Sequence, residues 1–141
     1  MNKIGDRFVI GSLWGTEKRV TSWVYDSSSQ NWGANGIFYG TRNYFGDAVS
    51  ISNDGTRIAF SDPVANNGIY ETYARIYEYS GSQWSEIGSV LFDHDAWSRE
   101  KSLALSGDGT TVAVTRRGSG DTGSGCGNHR GRGQIYRYSG S

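Results

Sequence analysis

Several residue types are almost missing from this 141-residue chain. It has one cysteine (Cys126), one proline (Pro63), one methionine (Met1) and two histidines (His94 and His129). A lone cysteine cannot close an internal disulfide, so no disulfide framework holds the fold. Net charge is missing too, because 14 basic and 14 acidic side chains cancel. A dedicated nucleic-acid binder needs clustered Lys and Arg to release phosphate counterions, so a neutral total argues against that class. No window approaches the ~18 consecutive apolar residues of a membrane span, which argues against bilayer insertion. The first residues, Met1-Asn2-Lys3-Ile4-Gly5-Asp6, lack the apolar stretch of a signal peptide. The helix formers Ala, Leu, Lys and Glu are sparse, and no segment sustains a 3.6-residue apolar period.

What is abundant is glycine (21), serine (19) and aromatic residues, with 5 Trp, 9 Tyr and 5 Phe. Glycine and serine alone would suit a disordered chain, but disordered chains are poor in rings. Rings need burial, so the composition predicts a folded all-β protein. Strand signals agree. Val49 and Ile51 alternate with Ser50 and Ser52, then Asn53-Asp54-Gly55 turns the chain into Thr56-Arg57-Ile58-Ala59-Phe60. Glycine accepts the positive φ of such a hairpin turn. Arg75–Tyr79 and Trp84–Leu91 read as two more strands around Ser80-Gly81-Ser82.

Internal similarity organises the rest. Residues 49–60 (VSISNDGTRIAF) match 103–114 (LALSGDGTTVAV) at an offset of 54, with five identities. Residues 74–82 (ARIYEYSGS) match 133–141 (GQIYRYSGS) at an offset of 59. A weaker copy lies upstream, where Arg7–Ser12 resembles Arg57–Asp62 and Trp23–Asp26 with Trp32 resembles Arg75–Glu78 with Trp84. Units of roughly 50–59 residues holding four short strands have the size of one β-propeller blade. With strands lettered A to D, the chain reads as a partial blade over 1–44 (B-C-D), a complete blade over 45–98, and a partial blade over 99–141 (A-B-C). About two and a half blades of four antiparallel strands are expected. Such a chain would pair with copies of itself, belong to a larger propeller, or stand as an open stack.

Phe45-Gly46, then Val49-Ser-Ile-Ser-Asn-Asp-Gly55, then Ile58-Ala-Phe-Ser-Asp-Pro63, is similar to the FG-GAP repeat of propellers such as the integrin α-subunit head. In that pattern a Phe-Gly pair precedes strand A and Gly-Ala-Pro closes strand B. Here Ser61-Asp62-Pro63 keeps only the proline of the closing motif, and the last unit carries Trp97-Ser98 and Thr115-Arg116-Arg117 instead of either motif. Ser-x-Asp-Gly-Thr also occurs in tryptophan-aspartate and other propeller repeats, so the superfamily is better marked than the family. The resemblance implies binding or adhesion to a protein or carbohydrate surface, without catalysis, in an extracellular setting. The unpaired cysteine and the missing leader point inside the cell or to a truncated chain. Integrin-like members often hold calcium in the A–B loop with several carboxylates. Calcium takes roughly 6–8 oxygen ligands, whereas Asn53-Asp54-Gly55 and Gly107-Asp108-Gly109 each offer one carboxylate, so no cofactor is expected.

Candidate chemistry is scattered. Asp93-His94-Asp95 could attract a metal or act as acid and base, but in extended backbone His94 points away from both carboxylates. The stretch 116–133 holds Arg116, Arg117, His129, Arg130 and Arg132 with Cys126 among many glycines. It lacks the Gly-Lys-Ser/Thr ending of a phosphate loop and reads as a positively charged B–C loop. Its counterpart in the middle unit runs from Asp62 through Asn66 and Asn67 to Glu71. These two loops and Asp93–Asp95 are the candidate partner-binding residues. The competing readings are a hydrolase-like propeller enzyme with its site among loops such as Asp93–Asp95 and Asp62–Glu71, and a purely structural fragment of a larger propeller. Tyr77, Tyr79, Tyr136 and Tyr138 alternate on C strands, where they would stack on a ligand or pack between blades. Residues 51–100 carry eight acids and three bases, residues 116–141 one acid and five bases, an asymmetry that could orient neighbours.

Overall fold

Period-two alternation and β-branched or aromatic residues produce strands throughout. A computed structural model describes residues 1–12, 17–66, 69–93, 101–116 and 132–138, with backbone alone at 65–66, 69–70, 91–93, 101 and 116. Among the described residues every regular element is a strand: β1 (Arg7–Ser12), β2 (Lys18–Asp26), β3 (Asn31–Gly40), β4 (Val49–Ile51), β5 (Arg57–Asn66), β6 (Ile69–Tyr79), β7 (Trp84–Asp93), β8 (Lys101–Leu105), β9 (Thr111–Arg116) and β10 (Arg132–Arg137). They form three antiparallel sheets: β1-β2-β3 (sheet 1), β4-β5-β6-β7 (sheet 2) and β8-β9-β10 (sheet 3). The protein is all-β, built of propeller-type sheets, and the three sheets of the described residues fall short of the ~4–8 that close a ring.

Sheet 2 lies between the other two, and alternation gives it two working faces. Ile58 and Phe60 of β5 join Val20 of β2 and Phe45 in one core, against which Val9, Phe38, Tyr77 and Trp84 pack. Ala59, Ala74 and Ile76 join Ala48 with Leu103, Val112 and Val114 of sheet 3 in a second core. Ile58, Ala59 and Phe60 are successive residues, so one strand serves both cores by pointing its side chains alternately up and down. Each fully buried Ile, Val or Phe contributes roughly 1.5–3 kcal/mol by leaving water.

The β5–β6 hairpin runs further than the sequence suggests. Residues 62–71, expected as a B–C loop, are mostly ladder: Asp62 pairs with Tyr73, Pro63 with Thr72, and the register continues to Asn66 with Ile69. Proline breaks a central strand because it lacks an N–H donor. Here β4 pairs β5 only from Ile58 to Phe60, and Gly46 N–H donates to Ser61 O, so Pro63 lies where β5 has an open edge. That placement lets the strand pass through it.

Candidate functional site

The A–B turns carry the densest local design. In Ser52-Asn53-Asp54-Gly55-Thr56 the Asp54 carboxylate accepts from Ser52 Oγ at 2.6 Å, from Thr56 N–H at 3.0 Å and from Thr56 Oγ1 at 2.9 Å. Ser52 Oγ in turn accepts from Arg57 N–H at 3.0 Å. Ser106–Thr111 repeats the same bonds around Asp108. Gly55 (φ 73°) and Gly109 (φ 69°) occupy the left-handed position that closes each turn. These bonds favour the ionised acids. Hydrogen bonds from Ser106 and Thr110 hold Asp108 down at about 2. Partial burial pushes Asp54 up, but its Ser52 and Thr56 bonds outweigh that and leave it below the usual carboxylate value.

A third copy of the turn sits at Asn2–Arg7, disguised by substitution. Asn2 N–H donates to Arg7 O, and Asn2 Oδ1 accepts from Arg7 N–H, as Ser52 does for Arg57. Gly5 (φ 88°) takes the glycine position, and the carboxylate has moved from the third place to the fifth, where Asp6 accepts from Asn2 Nδ2. The turns stack: Lys3 N–H donates to Asn53 O, and Asn53 N–H to Gly107 O. Arginines reinforce the stack from one unit to the next. Arg7 lies against Gly55 and over the Tyr79 ring at 5.6 Å; Arg57 lies against Gly109 and over Tyr138 at 5.3 Å. A Cβ at Gly55 would come within 2.3 Å of Arg7 Cδ, so the glycine also makes room for the staple.

Of the sequence-predicted site residues, Asp62 and Glu71 are strand residues held by neighbours, which corrects their assignment to a loop. Arg75 is clamped between Asp62 and Glu86 and contacts both carboxylates. Partial burial would lower its pKa, yet Asp62 and Glu86 raise it and keep the guanidinium charged. Tyr77 Oη donates to Glu86 at 3.2 Å; burial first, then the Glu86 charge, pushes the phenol to about 12. Tyr73 Oη donates to Glu71 at 2.9 Å. Asp62 and Glu71 thus enter two separate polar pairings on β6. Asn66, Asp93 and Arg116 end β5, β7 and β9, so each belongs to a strand and not to a loop. Arg132 begins β10 and is exposed. Asn67, His94, Asp95, Arg117, His129 and Arg130, with Cys126, lie outside the described residues. Among the described residues no three His, Cys, Asp or Glu side chains gather as metal ligands.

A cavity among the described residues lies elsewhere, between sheets 2 and 3. A cleft of ≈ 240 Å³ is lined by Ile76, Ile87, Val90, Leu105, Val112 and Tyr136, with Gly88, Ser89, Thr110 and Tyr138 beside them. It exists because the repeat is unequal. On the facing side of sheet 3, Val112 and Val114 stand where sheet 2 has Ile58 and Phe60. Sheet 3 also lacks, among the described residues, a fourth strand to match β7 and its Trp84. Trp84 reaches across the other gap, donating from Nε1 to Asn35 O at 3.1 Å and packing edge-on against Phe38. Sequence reasoning missed this cleft, although Tyr136 and Tyr138 had marked its neighbourhood.

Stacked antiparallel sheets joined by a repeated Ser-x-Asp-Gly-Thr turn define a propeller-type β-repeat protein. No family model matches the chain, and no curated protein matches it. Among solved structures, TolB from Acinetobacter baumannii, a β-propeller protein, is similar at a TM-score of 0.46 and 20% identity. That similarity covers 97% of this chain and 28% of TolB, so the chain spans little more than a quarter of its neighbour's length.

Proposed function

We propose that the chain is a noncatalytic propeller-repeat segment of the FG-GAP type that binds a protein partner at the cleft between sheets 2 and 3. The cleft carries the reading: an apolar hollow with tyrosines, flanked by β7 and β10, each paired on one side only among the described residues. Concave apolar sites with a few polar groups are the usual ligand sites, and a free strand edge offers a peptide its backbone hydrogen bonds. The Phe-Gly pair supports the repeat type on physical grounds. Phe45 is buried in the first core, and Gly46 (φ 72°) approaches Gly11 so closely that a Cβ at Gly11 would meet Gly46 O at 1.9 Å.

Gly88 provides the test. It sits opposite Ile76 in the ladder, and a Cβ there would meet nothing within 4 Å, so Gly88→Phe fills the cleft without disturbing its walls. Phage-displayed peptides panned on the immobilised full chain should enrich extended sequences with large apolar residues, and Gly88→Phe should release them. Failure to enrich, or equal binding to Gly88→Phe, overturns the assignment. Binding on a glycan array with no peptide binding overturns the choice of a protein partner.

A further inference from the structure

The two outermost sheet faces repeat the two faces that already pack against each other inside the molecule. Sheet 2 turns a bulky row toward sheet 1, with Ile58 paired to Tyr77, and sheet 3 turns the matching row, Val112 paired to Tyr136, toward sheet 2. Sheet 1 carries the same row on its outer side, with Phe8 paired to Trp23. That row continues into Trp32, which packs edge-on against Phe8 and beside Tyr25, and Trp32 remains 39% exposed. The opposite faces repeat as well. Sheet 2 offers sheet 3 the small row Ser50–Ala59–Ile76, and the outer side of sheet 3 presents Ala104–Ala113–Ile135 in the same register. Ile135 is 77% exposed, which an apolar residue in mid-strand rarely is without a partner.

We infer that a second copy of this chain covers both faces, the small face of sheet 3 in one copy stacking on the bulky face of sheet 1 in the other. The inference rests on the propeller-repeat reading and is independent of the cleft. Such a contact is head-to-tail, so it closes only if a ring forms. The described residues of two copies supply six sheets, within the ~4–8 of closed propellers, whereas those of three copies would exceed it. One part of the internal seam is missing from the new one. Arg7 and Arg57 each cover the next unit's glycine and tyrosine, but the third unit has Thr111 at that position. The recipient pair, Gly5 and Tyr25, has no described arginine over it: Met1 Sδ is the nearest atom to a Cβ at Gly5, at 3.7 Å. Tyr25 N–H bonds Asp6 O just as Tyr79 and Tyr138 bond Thr56 and Thr110, so the tyrosine stands in equivalent position.

Sedimentation equilibrium on the full chain reads the outcome directly. The mass should be twice 15.4 kDa at micromolar concentration and fall toward 15.4 kDa on dilution. Ile135→Glu, at an exposed position, should give a monomer with an unchanged far-ultraviolet circular dichroism spectrum. Thr111→Arg should restore the missing staple at both seams and tighten the dimer roughly fivefold or more. A monomer at all concentrations, a ladder of larger species, a dimer indifferent to Ile135→Glu, or no tightening by Thr111→Arg overturns the inference. Because neither variant enters the cleft, failure here leaves the peptide test intact, and the converse holds.

Discussion

Sheet 2 meets its two neighbours with opposite kinds of surface. Toward sheet 1 it shows rings: Phe60 lies against Phe38 at 5.2 Å, Phe45 at 5.3 Å and Tyr77 at 5.3 Å, and Phe38 also contacts Tyr77 at 4.7 Å. Toward sheet 3 it shows Ala59, Ala74 and Ile76, met by Leu103, Val112 and Val114. The ladders and turns on the two sides are alike, so backbone geometry does not separate a filled seam from an open one. Side-chain volume does. Where Phe60 and Trp84 occupy the space the seam is closed, and where Val112 stands a cleft remains. In a repeat protein a cleft can therefore arise by shrinking side chains at one seam without changing the scaffold.

The largest expected effect tests that contrast. Phe60→Ala should cost about 3–5 kcal/mol, since it removes a buried ring packed against three other aromatic side chains. Val114→Ala, equally buried but on the seam with sheet 3, should cost roughly 1.5–3 kcal/mol, because fewer atoms leave. Urea midpoints of the two variants decide it, and equal losses would mean that the seams are not packed differently. The staples come next. Arg57 pairs with Glu78 at 2.8 Å, donates to Gly109 O at 3.2 Å and covers Tyr138. Arg7 covers Tyr79, but its Nη1 is buried and finds no acceptor among the described residues. Arg57→Ala should therefore destabilise by about 1–2 kcal/mol, after allowance for solvent screening at the half-exposed Glu78. Arg7→Ala should cost less, about 0.5 kcal/mol. The reverse order would place the stronger staple at the aromatic seam.

Much of this organisation was legible before any coordinates. The match of 49–60 with 103–114 located two equivalent hairpins, and glycine after aspartate marked the turn that closes them. The turn at Asn2–Arg7 was not legible, because its carboxylate sits two places later and asparagine replaces serine while the same backbone bonds form. Different side chains can satisfy one set of donors, and a letter-by-letter comparison does not see it. The sequence reads Asp62 and Glu71 as loop residues because proline, two asparagines and a glycine follow one another between them. What decided otherwise is that β5 has an open edge where Pro63 falls, a property of the neighbouring strand and not of the segment itself. The cleft was hidden for the same kind of reason. It is a difference between two seams, visible only when the residues facing each other across sheets are known.

The smallest expected effect concerns the two aspartate turns, which differ in burial but share a wiring. Both carboxylates titrate below their ordinary value of 3.8 in the folded protein, Asp108 at about 2. An acid whose folded pKa is depressed stabilises the fold above its unfolded pKa and loses that contribution as pH falls toward the folded value. The Asp108 turn should therefore weaken between about pH 4 and pH 2, with Asp108 still partly ionised near pH 2, and the Asp54 turn should weaken as pH falls below that acid's ordinary value. Asp54→Asn and Asp108→Asn should each lower the stability at pH 7 and flatten its dependence in that acid window. Thermal midpoints taken from pH 7 down to pH 2 supply the comparison. The first turn carries Ile4 where the others carry aspartate, so it contributes no acid at that position, and the double variant should leave the acid limb nearly free of turn effects. A wild-type acid limb that survives unchanged in the double variant would show that other carboxylates govern it. Asp26 would then be the first to examine, since its hydrogen bonds from Ser28 and Ser29 also hold it at about 2, in a turn outside both seams.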